Sequence, residues 1–127
     1  MANINIQILE EAIQKMRGTL GEGLISSDIW EANTGKSLAG YNVQPQAVAV
    51  FDALTTEISN TLDNAGFPGL GSYYMIHLNN DSICFLINHA GSQLLQGILF
   101  DAKKVNIGLF FSLVLKDLQD AVLKAYS

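Results

Sequence analysis

The sequence predicts an α/β protein of the α+β type, a five-stranded antiparallel sheet with helices on both faces in the order α-β-β-α-β-β-β-α. Three observations predict it. Apolar residues recur at helical spacing in three stretches, at the start, middle and end of the chain. Three strand-like segments in a row, "SYYMIHL", "SICFLIN" and "SQLLQGILF", are parted only by Asn79-Asn80-Asp81 and His89-Ala90-Gly91. Turns this short make consecutive antiparallel neighbours. Two further segments, "GLISSDIWEA" and "KSLAGYN", flank Asn33-Thr34-Gly35 and predict a hairpin.

Taken in order, Ile6, Leu9, Ile13 and Met16 form the apolar stripe of a first helix, capped by Asn3 or Asn5 and stopped at Gly18. In the hairpin after it, Ser26, Ser27 and Asp28 interrupt the alternation and leave its register open. Pro45 opens a long second helix, where a missing N–H costs nothing. Ala47, Phe51, Leu54, Ile58, Leu62 and Ala65 are its expected buried stripe. Gly66 suits the left-handed position after the helix, Phe67 can fold back on Leu62, and Pro68 forbids continuation. The last helix is expected over about residues 104–126. Ile107, Phe111, Val114, Leu118, Val122 and Ala125 share one face, and Leu109 and Leu113 the other, so the sheet and the first helix should both cover it. Gly108, unfavourable inside a helix, suggests a close backbone approach.

With 127 residues and 49% apolar content the chain reads as one folded domain over residues 1–127, without repeats or charged linkers. A net charge of −5 and a single arginine, Arg17, argue against a nucleic-acid partner or an anionic membrane surface. The lone Cys84 excludes an internal disulfide and suits a reducing compartment. Glu10 and Glu11 stand where a signal peptide would be apolar, and the uncharged run from Val105 to Leu115 is too short for a membrane span, so a cytoplasmic protein is expected.

Little in the sequence points to catalysis. Gly35-Lys36-Ser37 matches the end of a phosphate-binding loop, but Trp30 stands where that loop needs a glycine, and Leu38-Ala39-Gly40 with Pro45 close behind is poor helix material. The tripeptide reads as the hairpin turn. His77, His89 and Cys84 lack zinc-site spacing, although His77 and Cys84 could approach on neighbouring strands. No Gly-x-Ser-x-Gly elbow accompanies Ser26 and Ser27. Glu10, Glu11, Asp117 and Asp120 read as solvated helix surface. No enzyme activity, cofactor or metal is expected.

The informative feature is the outer flank of the second helix. Gln46, Ala49, Ala53, Thr56 and Asn60 succeed one another at intervals of three and four residues, with Val48 and Val50 near the start and Asp52, Glu57 and Asp63 to the sides. Small uncharged side chains let another helix approach and are cheap to desolvate. One reading is an alanine-rich surface helix chosen for propensity alone. The other is contact with the same helix of a second copy about a twofold axis.

From Gly23 to Val122 the chain resembles the Roadblock/dynein light chain family of the wider longin-like group, on a profilin/longin-like frame. The resemblance is carried by "LLQGILFDAKKVNIGLFFSLVLKDLQDAV", by the central "YYMIHLNNDSICFLINHAGSQLLQGIL" and by "NTGKSLAG". In "SSDIWEA" the sequence departs from the smoother apolar strand more usual there. The resemblance implies a non-catalytic homodimer, or a heterodimer with a paralogue, that scaffolds or regulates a small Ras-like GTPase. It implies dimerisation through the second helix and third strand. Gln46, Ala49, Val50, Ala53, Thr56, Glu57 and Asn60 would face the partner, with Tyr74 and Ile76, or Tyr73 and Met75, along the paired strand edge. Arg17 is the sole candidate for an arginine finger, and the family motif implies none. The alternative function on this element order is a small-molecule-sensing domain of PAS/GAF-like architecture, which needs a cavity; Cys84, Gly91 and Gly97 are its candidate lining.

Overall fold

The computed structural model describes residues 3–89 and 91–126. Ala90 of the turn between the fourth and fifth strands lies outside them. The elements are α1 (Ile6–Leu20), a 3-10 turn (Gly21–Gly23), β1 (Leu24–Glu31), β2 (Ser37–Tyr41), α2 (Pro45–Asn64), β3 (Tyr73–His77), β4 (Ser82–Asn88) and β5 (Leu94–Asp101). The C-terminal helix starts as α3 (Ile107–Leu109), widens to a π-helical segment (Phe110–Val114) and ends as α4 (Leu115–Ala125). All five strands form one sheet in the order β2-β1-β5-β4-β3, every adjacent pair antiparallel. The α-β-β-α-β-β-β-α order and the helices on both faces are therefore as expected.

The two faces are covered unequally. On one lie α1 and the C-terminal helix side by side. Their Leu9, Ile13 and Met16 pack with Phe110, Val114, Leu118 and Val122 onto Ile29, Phe85, Ile98 and Phe100 of the strands. On the other lies α2 alone, touching the sheet through a small cluster of Trp30, Val48, Leu86 and Leu95. Because β1, β5 and β4 have a helix layer on both sides, their sequences do not alternate: β4 is buried from Ser82 to Ile87. The same double cover buries Ser26, Ser27 and Asp28, which is why the first hairpin looks irregular in sequence. A register shift between Ile29 and Trp30 adds to it.

Helix α1 runs through Gly18 and ends at Gly21, whose φ of 58° no β-carbon tolerates cheaply. Asn5 is its N-cap by position, but the side chain makes no capping bond; its backbone N–H donates to Ala125 O instead. The end of α2 matches expectation. Gly66 has φ 75°, its N–H donates to Asp63 O, and the Phe67 N–H reaches back to Leu62 O at 3.0 Å. The Phe67 ring does not fold back with its backbone and stays 65% exposed. Gly35-Lys36-Ser37 is hairpin turn and first strand residue, with Gly35 at φ 70° and no helix after it.

The C-terminal helix departs most from expectation. It begins at Ile107, with the Asn106 side chain accepting the Leu109 N–H at 3.0 Å. A Cβ on Gly108 would meet only that cap oxygen, at 3.2 Å, so the capping bond, not a neighbouring element, is what crowds this glycine. The Leu115 N–H then bonds Phe110 O, five residues back, which rotates the rest of the helix about its axis. Phe110 replaces Phe111 as the fully buried ring, and Phe111 sits beside it half-buried. Both rings meet Phe85, at 4.7 and 5.6 Å between centroids. Leu109 and Leu113 are exposed, because α1 lies beside this helix and not behind it.

Phe110 is wholly buried between Phe85 and Phe100, so Phe110→Ala should cost about 3–5 kcal/mol in urea unfolding. Leu109→Ala, one residue away but on the exposed side, should stay within about 0.5 kcal/mol.

Candidate interface and its surroundings

Helix α2 is the longest element, yet only Val48 and Thr55 of its 20 residues are buried. Ala47, Phe51, Leu54, Ile58 and Leu62 do face the sheet but are only half-buried, and Ala65 is exposed. Val48, which the sequence pattern assigns to the flank, is the core residue. Two polar bonds hold the helix down where apolar area is short. The Trp30 indole N–H donates to Asp52 Oδ1 at 3.0 Å, and Thr55 Oγ1 lies 2.8 Å from the Tyr74 hydroxyl. The Trp30 ring lies over Gly97, two residues along from its register partner Leu95, where a Cβ would make ordinary contact at 3.4 Å. Neither bond was legible in sequence, since each joins residues about 20 apart on different elements.

All seven helix residues expected at an interface are exposed: Gln46, Ala49, Val50, Ala53, Thr56, Glu57 and Asn60. Val50, at 57% exposure, is apolar surface turned to solvent. Strand β3 is at the end of the sheet, paired with β4 alone. Its side chains alternate. Tyr74 and Ile76 point towards α2 and are half-buried, whereas Tyr73 and Met75 point the other way, each 43% exposed. Tyr73 stacks on Phe85 at 5.3 Å and meets Phe111 edge-on. Through the Thr55–Tyr74 bond, α2 and the strand edge are one contiguous region of the molecule.

The titratable groups divide by face. On the two-helix face, His89 Nε2 donates to Gln96 Oε1 at 2.9 Å, Gln96 Nε2 to Ser27 Oγ, and Ser27 Oγ to Gly97 O. The chain of donors is satisfied throughout, and burial holds the imidazole below its ordinary range although the Gln96 bond opposes this. On the α2 face, Asp28 is 6% exposed and accepts from Ser37 Oγ at 2.6 Å, but its Oδ2 has no partner. Burial raises its carboxyl above the usual range, with Ser37 and the Ile29 backbone pulling it back. Cys84, buried on this same face, has its thiol pushed up to about 12 and is no nucleophile.

The sheet register separates His77 from Cys84. Cys84 stands opposite Ile76, so His77 looks out from the other face, where it binds Asp81 at 2.8 Å. Arg17 lies 3.8 Å over the Tyr41 ring at the corner of α1 and β2, across the sheet from α2. A cavity under α2 is lined by Cys84 and Gly97, but not Gly91, and encloses only about 130 Å³. Ligand pockets commonly need about 300 Å³ or more. No helix among the described residues is long and apolar enough to cross a membrane.

No family model and no curated sequence matches the chain. Solved structures do. MglB of Myxococcus xanthus superposes with a TM-score of 0.78 at 12% identity, over 98% of this chain and 91% of that one. A Roadblock/LC7 domain from Streptomyces avermitilis gives 0.61 at 13%, over 97% and 94%. Profilin IA of Acanthamoeba castellanii gives 0.54 at 11%, over 93% and 95%. The chain thus has the Roadblock/longin-like fold, on the frame shared with profilin. MglB and profilin on one frame also mean that the fold alone names no function.

Because buried His89 is neutral, the folded state binds its proton less readily than the unfolded chain, whose histidine titrates near 6.5. Stability should therefore be full above pH 6.5 and fall as the pH drops below it. Melting temperatures between pH 7.5 and 5.5 should show this slope, and His89→Gln should flatten it; equal slopes in both proteins would rule the group out.

Proposed function

We propose that the chain acts over residues 1–127 as a single Roadblock-like, non-catalytic module that dimerises through α2 and the edge of β3 and regulates or scaffolds a small Ras-like GTPase. One observation carries the reading: the longest helix buries two of its 20 residues and turns Gln46, Ala49, Val50, Ala53, Thr56, Glu57 and Asn60 outward. A helix this uncovered gains little from its own sheet and has area to give to a partner. The free edge of β3, with Tyr73, Tyr74, Met75 and Ile76, extends that surface and offers unpaired backbone groups for strand addition. The GTPase as partner rests on the family resemblance and on the fold shared with MglB.

A catalytic arginine does not enter this reading, since Arg17 is engaged with Tyr41 across the sheet. Positioning of the partner's own loops is the mechanism it supports. The sensing alternative is disfavoured by the 130 Å³ cavity under α2. A cytoplasmic setting is part of the proposal, as the compartment of its intended partner.

Two measurements test it. Light scattering should return twice the 13.8 kDa chain mass, and Ala53→Arg should give monomers without loss of helical signal; a monomeric parent protein would remove the dimer. Pull-down with a Ras-like GTPase from the same organism should depend on whether GDP or GTP is loaded. Equal or absent capture in both states would remove the regulatory role.

A further inference from the structure

Between the turn of the first hairpin and the start of α2 lies an open cleft of about 470 Å³, lined by Asp28, Thr34, Ser37, Val48, Ala49 and Asp52. Asp28 forms part of its wall with Ser37, and Asp52 closes it from the helix. Of the two carboxylates, Asp52 has one oxygen engaged by the Trp30 indole, and Asp28 has one oxygen engaged by Ser37. The second oxygen of Asp28 is buried and unpartnered, the sole such side-chain atom among the described residues.

A buried carboxylate with an empty acceptor is costly, and Ser37 and the Ile29 backbone offset its burial only in part. Valine or alanine could fill the position; asparagine could keep the Ser37 bond. The chain carries seven lysines and arginines, and six of them (Lys15, Arg17, Lys103, Lys104, Lys116 and Lys124) lie on α1, on the connection after β5 and on α4. The seventh, Lys36, belongs to the hairpin turn, is exposed and forms no ion pair with Asp28 or Asp52. Helix α2 has Asp52, Glu57 and Asp63 and no cation at all. A second copy docked through α2 therefore brings no positive charge on that helix.

We propose that this cleft is a socket for an arginine side chain of a partner protein of different sequence, its guanidinium bridging Asp28 and Asp52. The chemistry fits on three counts. A guanidinium is planar and offers several donors at once, so it can serve two carboxylates on separate elements, whereas an ammonium is a point charge. The site has two carboxylates and no third soft or acidic ligand, and no metal-binding cluster occurs among the described residues. Ala49, on the flank of α2, lines the same cleft, so the socket borders the proposed interface and shares that one helix residue with it. The burial that disfavours ionised Asp28 in the free protein is the expense that such a cation would offset.

The proposal needs neither the dimer nor the GTPase, and its test keeps them separate. The full-length protein is titrated, with amide resonances followed by NMR, using a blocked five-residue peptide bearing one central arginine between serines and glycines. The same peptide with citrulline, an uncharged isostere, and free arginine form the other arms. The arginine peptide should saturate shifts at Asp28, Thr34, Ala49 and Asp52, and the citrulline peptide should bind at least about tenfold more weakly. Asp28→Asn should reduce the affinity about tenfold while melting no lower than the parent. Should that variant fail to fold, Asp52→Asn, which keeps an oxygen for the Trp30 indole, should show the same loss. Equal shifts with citrulline, shifts elsewhere on the protein, or unchanged affinity in the folded variant would overturn the socket. Tighter binding of free arginine than of the peptide would overturn the protein side chain as its occupant. A monomeric parent protein would leave each of these outcomes readable.

Discussion

A five-stranded sheet is about 24 Å across, at roughly 4.8 Å per strand, and a helix with its side chains is about 10 Å wide. Two helices side by side match one face of such a sheet; one helix leaves more than half of the other face to be covered by something else. That mismatch governs this molecule. Beneath α1 and the C-terminal helix lie two large clusters, one holding Phe85 and Phe110 and the other Leu9 and Leu94, with the partly buried Tyr41 packed against both. Beneath α2 it shrinks to Trp30, Val48, Leu86 and Leu95 with Phe51 and Tyr74 at its margin. The partial burial of α2, the small cavity at its start and the cleft beside it are consequences of one helix doing the work of two.

Polar groups are distributed in keeping with that imbalance. Where two helices exclude water, the buried polar atoms form a closed series from His89 through Gln96 and Ser27 to Gly97 O, with each donor matched. Such a series fixes the register of β1 against β5 more strictly than apolar packing can. On the α2 face the polar bonds instead join helix to sheet, Trp30 to Asp52 and Tyr74 to Thr55, and one acceptor, Asp28 Oδ2, is left over. Unpaired polarity is concentrated where cover is incomplete, the place where a partner would do least violence to the fold.

Element order was legible because turns and caps are local. Asn33-Thr34-Gly35, Pro45 and Gly66 each act through their own φ angle or missing donor, and each stands where the sequence placed it. Burial was less legible. An apolar period shows which way a helix faces but not how deep it sits, so the α2 stripe was right in direction and wrong in depth. Val114, Leu118, Val122 and Ala125 are buried as their spacing indicates, but the π-helical turn at Phe110–Val114 puts Phe110 in line with them instead of Phe111, an offset that a period of 3.6 residues per turn does not contain. At the candidate site the outer flank of α2 could be read from spacing alone. Asp28 could not, because its significance lies in what does not reach it, and absence of a partner is a property of three dimensions.

Strand β3 shows how the two faces combine at one edge. Exposed edges in stable monomers are usually blunted by lysine, proline or a bulge, yet Tyr73-Tyr74-Met75-Ile76-His77 contains none of these and pairs with β4 in unbroken register. The strand is nevertheless held firmly. Tyr73 is stacked on Phe85 and meets Phe111 edge-on from one side, and Tyr74 is tied to Thr55 from the other. The π-helical turn matters here, since it brings consecutive rings, Phe110 and Phe111, to the same sheet face, one filling the core and the other supporting the edge. An edge fixed in this way has already met the ordering cost that strand addition normally carries, so a pairing chain would give up little beyond its own freedom. The same rigidity makes an unpaired edge hazardous. An edge in unbroken register and free of charge at its centre is the kind of edge that the proposed dimer would cover.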